Sequence, residues 1–319
     1  MSRDITSSSS LSGANMTLVL LAVVAVGVMC NIGYTLRWIE WCNMSDAPYG
    51  VAVKNIAVIM AGGMMTAFIA KDIVPVRKLW AVVGAYAAFY AILPTCMFFT
   101  DYMVSSMMMT VVVYMVWNLG GRGNALRLFL ASFITGLSMC YVPSSVLYML
   151  LIYAGVFILC PEDLRNWLMP LVGFGSSVLV VMTFSSISEA DVVLPTQYIP
   201  SEMFHMPYTE KIFAAHNMYF YIAVVVVFAM IAYLRYVGDA SRDTQMEKKR
   251  AMIVSILLVV CVAMALSVAT ARYMVVFASL PFALIVGRYI TNEELSRWRK
   301  VVYVWALVVV AVVSMWTFE

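Results

Sequence analysis

The sequence predicts an all-α fold, a polytopic transmembrane helical bundle of about eleven spans with its N-terminus inside and its C-terminus outside. Three observations predict it. The chain of 319 residues is 64% hydrophobic and only 12% charged, which is more apolar surface than a soluble globular chain can hide. Its apolar runs reach the roughly 17–25 residues needed to cross hydrocarbon. The runs are continuous rather than alternating, so in a solvent where the backbone must satisfy its own hydrogen bonds they specify helices and not barrel strands.

Residues 1–15 read as a disordered Ser-rich tail, and residues 16–319 as one transmembrane domain. The first apolar run, Met16 to Tyr34, is too long for a signal-peptide core and ends without a small-residue cleavage site, so it is expected to be retained as the first span. Further spans are expected near 51–70, 79–100, 102–118, 126–142, 144–160, 167–184, 216–235, 251–271, 273–289 and 301–318. The run from Leu126 to Cys160 is ambiguous between one kinked helix and a hairpin turning at Tyr141-Val142-Pro143-Ser144. Charge decides between them. With the hairpin, all of the twenty Lys and Arg residues except Arg37, Lys54, Lys211 and Arg272 fall on the cytoplasmic side; without it, the later loops change sides and the asymmetry reverses. The positive-inside rule selects the hairpin.

The longest interruption between apolar runs is the external loop at 185–215. Pro195, Pro200 and Pro207 forbid one continuous helix there, because each removes a backbone donor and restricts the residue before it. Val192, Leu194, Tyr198, Met203 and Phe204 alternate with Asp191, Glu202, His205 and Glu210, a mixture suited to the membrane interface or to covering a cavity.

Several patterns are excluded as chemistry. Cys30, Cys42, Cys96, Cys140, Cys160 and Cys261 show no paired spacing, so they read as free thiols rather than a metal cage or disulfide framework. Gly120-Gly121-Arg122-Gly123 fits neither phosphate-binding fingerprint and reads as a cytoplasmic turn. Gly62-Gly63 with Thr66 and Ala67, and Gly173-x-Gly175-Ser176-Ser177, are small-residue packing patterns. Met107-Met108-Met109 reads as filler. Basic residues scattered through short loops leave no footprint for nucleic acid.

Chemistry, if present, must be assembled across helix ends at the external side. The expected topology gathers there Arg37, Glu40 and Asp46 after the first span, Asp101 in a tight turn, the long loop with Glu202 and His205, His216, and Arg272. Ser267 to Met274 contains neither Gly nor Pro, so Arg272 sits where helices reverse near the membrane surface. An arginine there either snorkels to water or meets a carboxylate or a lipid phosphate. Asp46 or Glu40 can act as a base, or hold a divalent cation, for transfer to a hydroxyl. Arg288-Tyr289 reads as a cytoplasmic interface anchor.

Two resemblances attach to these residues. Arg127 to Phe174, with Arg165, Trp167, Pro170 and Gly173 in an Arg-x-Trp-x-x-Pro-x-x-Gly segment, resembles a family of multi-pass inner-membrane proteins of Bacteroidetes that brings no known activity. The acidic residue of the first external loop, followed late in the chain by Ala271-Arg272-Tyr273 and Pro281-Phe282-Ala283-Leu284, resembles membrane-embedded glycosyltransferases that use polyprenyl-phosphate sugars. That resemblance implies a catalytic carboxylate at Asp46, although the loop from Leu36 to Gly50 is shorter than is usual in that family.

The resulting expectation is a protein of the bacterial inner membrane, glycosyltransferase-like, that handles a lipid-linked sugar or glycan at its external face. Asp46 is the expected catalytic residue, and Arg272, Asp101, Glu202 and His205 are the expected substrate-binding residues. A polyprenyl-phosphate-linked substrate, the lipid bilayer and a membrane-protein partner are the expected contacts, with no nucleic acid. The alternative is a non-catalytic membrane subunit of an envelope complex, or a transporter.

Overall fold

The computed structural model describes residues 48–93, 100–121, 123–139, 142–188, 216–240, 244–266 and 275–317. Among these the chain is all-helical: α1 Pro48–Ala70, α2 Trp80–Ile92, α3 Thr100–Trp117, α4 Asn124–Met139, α5 Tyr148–Leu159, α6 Leu164–Ser188, α7 His216–Ala240, α8 Gln245–Leu266, α9 Ser279–Thr291 and α10 Arg297–Thr317. Each coincides with an expected apolar run. The run at 16–35 lies outside the described residues.

Length separates these helices. Leu164–Thr183 of α6 and Phe220–Asp239 of α7 are each long and apolar enough to cross a membrane, and 22% of either stretch is buried. Leu168, Leu171, Leu179 and Val180 of α6, and Phe220, Val226, Met230 and Leu234 of α7, are exposed. By contrast α2, α5 and α9 contain 13, 12 and 13 residues, and at a rise of about 1.5 Å per residue each spans roughly 20 Å, short of the roughly 30 Å of hydrocarbon. The expected run 79–100 yields a helix only to Ile92, followed by Leu93 with φ −122° and ψ 65° ahead of Pro94. Proline disfavours helical geometry in the residue before it.

The chain divides into two compact units. Unit 1 comprises residues up to Met97, Asn217–Tyr236 and Phe282–Glu319; unit 2 comprises Phe98–His216 and Val237–Pro281.

Unit 1 is organised around α2, where every residue from Ala81 to Ile92 is buried. A helix that is hydrophobic on all sides belongs inside a bundle. Gly62 of α1 lies so close to Tyr86 that a Cβ there would stand 2.8 Å from the ring's Cζ, and one on Gly287 of α9 would stand 3.1 Å from the Val82 Cα. Phe89 meets Phe282 with ring centroids 5.5 Å apart, and the Ser314 hydroxyl of α10 donates to the Ala91 carbonyl at 3.2 Å. The α7 segment joins α10 where Tyr303 donates to the Phe228 carbonyl at 2.9 Å.

In unit 2 the glycines fix helix directions. Gly173 of α6 packs on Phe129 and Ser132 of α4, and Gly136 of α4 packs on Phe174 and Ser177 of α6, so α4 and α6 run parallel in close contact. Gly155 of α5 packs on Val116 of α3, and the Leu159 carbonyl approaches Gly120. The end of α5 therefore returns to the start of α4, and the two are antiparallel. The sequence's ambiguity over 126–160 resolves as a hairpin: α4 stops at Met139, Val142 is extended with φ −137°, and Pro143–Leu147 form a 3-10 turn.

One sequence reading changes here. Gly175 has no atom within 4 Å of a would-be Cβ, so of the Gly173-x-Gly175 pair only Gly173 packs. Arg288 donates to the Ile73 carbonyl, and Tyr289 packs on Tyr303 with centroids 4.6 Å apart and ring planes tilted by 43°. This pair ties the end of α9 to its neighbours.

Candidate functional site

The helix directions of unit 2 bring one end of it together from four helices. α3 begins there at Thr100, α4 ends there at Met139, α6 runs out past α4 to Ser188, and α8 ends there at Leu266. The chain re-enters the described structure close by, at Val275.

This end is polar and buried. Ser105 of α3, Ser138 of α4 and Ser145 of the 3-10 turn are fully buried. Ser105 and Ser138 bond to each other, and the Ser145 hydroxyl lies 3.1 Å from each. Three hydroxyls in a triangle can each donate once and accept once, which satisfies all three without water. Ser106 donates to the Val276 carbonyl at 3.4 Å, and the Cys261 thiol of α8 donates to the Phe277 carbonyl at 3.3 Å. Tyr148 packs on Phe277 with centroids 6.1 Å apart. Hydroxyl bonds of this kind hold helices together where lipid supplies no alternative partner.

The expected site residues relate to this end as follows. Asp101 is in the first turn of α3, four residues before Ser105, with its backbone described and its side chain outside the described set. Arg272 lies outside the described residues, in the connection between Leu266 of α8 and Val275. Glu202 and His205 also lie outside them, in the segment that leaves α6 at Ser188. The structure thus gathers the roots of these three segments at one end of unit 2. Asp46 and Glu40, with the divalent cation expected of them, lie outside the described residues; His216 opens α7 with its side chain outside the described set. Among the described residues, no group of three His, Cys, Asp or Glu is placed to hold a metal.

No protein-family model, curated protein or solved structure matches the chain.

Described Lys and Arg side chains collect at other helix ends. In unit 1, Lys78 donates to Glu293 at 2.8 Å and to the Thr291 carbonyl at 3.3 Å, and Arg235 donates to Glu294 at 2.7 Å. The hydrogen bond from Lys78 and its charge hold the Glu293 carboxyl below the usual glutamate range. Burial and the neighbouring Lys78 push the Lys300 ammonium below the usual lysine range, against the opposing pull of Glu293. In unit 2, Arg127 donates to the Asn118 carbonyl, and Arg250 lies 5.4 Å above the Trp117 ring. Sequence reasoning missed the serine triangle. Its only signal was the pairing of Ser105-Ser106 and Ser144-Ser145 inside otherwise apolar runs.

Proposed function

We propose that the chain is a multi-pass protein of the bacterial inner membrane, with eleven crossings and a cytoplasmic N-terminus, that handles a lipid-linked sugar or glycan at its external face. The observation that carries the reading is the shared root of the segments bearing Asp101, Arg272 and the Glu202–His205 loop at the hydroxyl end of unit 2. Basic residues support the orientation. Lys78, Arg235, Arg288 and Lys300 share one end of unit 1, and Arg127 and Arg250 mark the end of unit 2 opposite its hydroxyls, as the positive-inside rule expects of cytoplasmic ends.

In this reading Arg272 binds the substrate's phosphate through its planar fork, while Asp101, Glu202 and His205 contact the sugar. Asp46 activates the acceptor hydroxyl as a general base. Arg272→Lys keeps the charge and loses the bidentate geometry. It should weaken retention of co-purified polyprenyl-phosphate lipid, read by native mass spectrometry, with little change in thermal stability. Equal retention by the wild type, Arg272→Lys and Arg272→Ala would remove the proposal. The second reading, a non-catalytic subunit of an envelope complex, is favoured by the serine triangle, whose hydroxyls satisfy one another as packing alone would require.

A further inference from the structure

α10 begins with a charged turn and continues without charge. Arg297, Arg299 and Lys300 fall within its first turn, and no charged residue follows as far as Thr317. Its 21 residues cover about 31 Å at about 1.5 Å each, the thickness of the hydrocarbon, so a crossing α10 leaves the basic turn at headgroup level.

The carboxylates just before this turn are already matched: Glu293 lies 2.8 Å from the Lys78 ammonium and Glu294 2.7 Å from the Arg235 guanidinium. The first turn of α10 holds no acidic residue, and cations at that end of a helix run against its dipole. Arg297 and Arg299 are both exposed, and among the described residues neither guanidinium has a hydrogen bond or an ion pair.

Trp298 stands between the two arginines and is 74% exposed. At about 100° per residue, Val302, Trp305 and Val309 repeat its direction at steps of four, three and four positions, and all three are exposed. The stripe runs roughly 17 Å along the helix. Arg297 and Arg299 flank it on either side, while Lys300 lies on the other side of the helix and is half-buried.

We propose that this face of α10 binds an anionic phospholipid, its phosphate bracketed by Arg297 and Arg299 and an acyl chain lying along Trp298, Val302, Trp305 and Val309. The site rests on the membrane reading above and adds a lipid class to it. Guanidinium groups match phosphate oxygens, and an exposed indole suits the headgroup boundary. With no carboxylate to answer them, the arginines favour a lipid of net negative charge over a zwitterionic one, whose own cation opposes them. A free anion or an acidic protein segment would answer the arginines and leave the apolar stripe unmatched. One lipid molecule carries both parts.

The test places the full chain in nanodiscs of equal phosphatidylcholine and phosphatidylglycerol and reads by native mass spectrometry which lipid stays bound. The wild type should retain phosphatidylglycerol in preference. Taking one cation from beside an anionic lipid surface costs about fivefold in affinity, so Arg297→Gln and Arg299→Gln should each lower the preference about fivefold. The double variant should lower it further. Arg165→Gln/Lys249→Gln removes two exposed cations of unit 2 and should keep the wild-type preference. Failure of the chain to enter nanodiscs would refute the membrane reading and the site together. If the chain enters and retains both lipids equally, if the double variant keeps the wild-type preference, or if the unit 2 control loses as much as the double variant, the site alone is overturned. Displacement of the lipid by glycerol phosphate in solution would show that the headgroup binds without its chain, which also overturns it. Should the double variant fail to fold, the two single variants decide the matter.

Discussion

Replacing Gly173 by alanine sets two effects of known sign against each other. In an open helical position the change is favourable by about 1 kcal/mol, because alanine restricts the unfolded backbone more than glycine does. Here the new Cβ would stand 3.1 Å from the Phe129 carbonyl carbon of α4, and closer still to its oxygen and to the Ser132 hydroxyl. A carbonyl inside a helix cannot rotate away, so α6 must retreat from α4 along the seam. Overpacking of this kind costs about 1–3 kcal/mol, and the rigid obstacle puts the cost at the upper end. A net loss of about 2 kcal/mol is expected, and at about 2.1 cal/mol/K of unfolding entropy per residue it should lower Tm by roughly 3 °C in a chain of 319 residues. Gly175→Ala is the control: nothing lies within 4 Å of its Cβ, so it should hold or raise Tm. Gly136→Ala meets chiefly the Ser177 side chain, with its Cβ at 2.8 Å, and touches the Phe174 ring at 3.4 Å, so adding Ser177→Gly should restore most of the loss. Thermal unfolding of the four variants in one detergent makes the comparison. If Gly173→Ala melts as high as Gly175→Ala, the close approach of α4 and α6 is wrong.

Two further outcomes follow from the charged ends. Reporter fusions after Ser241 should report a cytoplasmic location, as expected from the basic residues of α8's start; an external signal would reverse the orientation of the second half of the chain. Glu293 ionises below the usual glutamate range in the folded state because of Lys78, so its stabilising contribution is present above the unfolded value and is lost as pH falls through the lowered one. The wild type should therefore lose slightly more stability on acidification than Lys78→Gln, by a small amount because Glu293 is exposed and solvent screens the pair. Equal slopes would show that the pair contributes nothing.

Helix positions were legible because apolar runs and their interruptions are local properties. Pro143 with the serines beside it marks the break between α4 and α5, and the charge asymmetry selects a hairpin there. Helix lengths were less legible: hydropathy does not reveal that α2 stops at Ile92, since the Leu93–Pro94 step interrupts helical geometry without adding polarity. Long-range partners were not legible at all. Nothing near Arg288 announces the Ile73 carbonyl, and nothing near Lys78 announces Glu293. Gly173 and Gly175 look alike in sequence, but two residues turn a helix by about 200° and so set them on nearly opposite sides. Of the expected external site, the first turn of α3 with Asp101 and the start of α7 with His216 fall within the described backbone.

The burial of α2 bears on how the polypeptide is made. Its covering comes from α1, which precedes it, and from α9 and α10, which are synthesised some two hundred residues later: Val82 waits for Gly287, Ala91 for Ser314 and Lys78 for Glu293. All of unit 2 emerges in between. Chain order alone therefore lets unit 2 assemble while the central helix of unit 1 is still half covered, and a ribosome stalled before Phe282 leaves an apolar helix of only 13 residues without its partners. Such a helix is short for stable residence in lipid by itself and sticky while uncovered. A nascent chain interrupted there would be a natural target for membrane quality control.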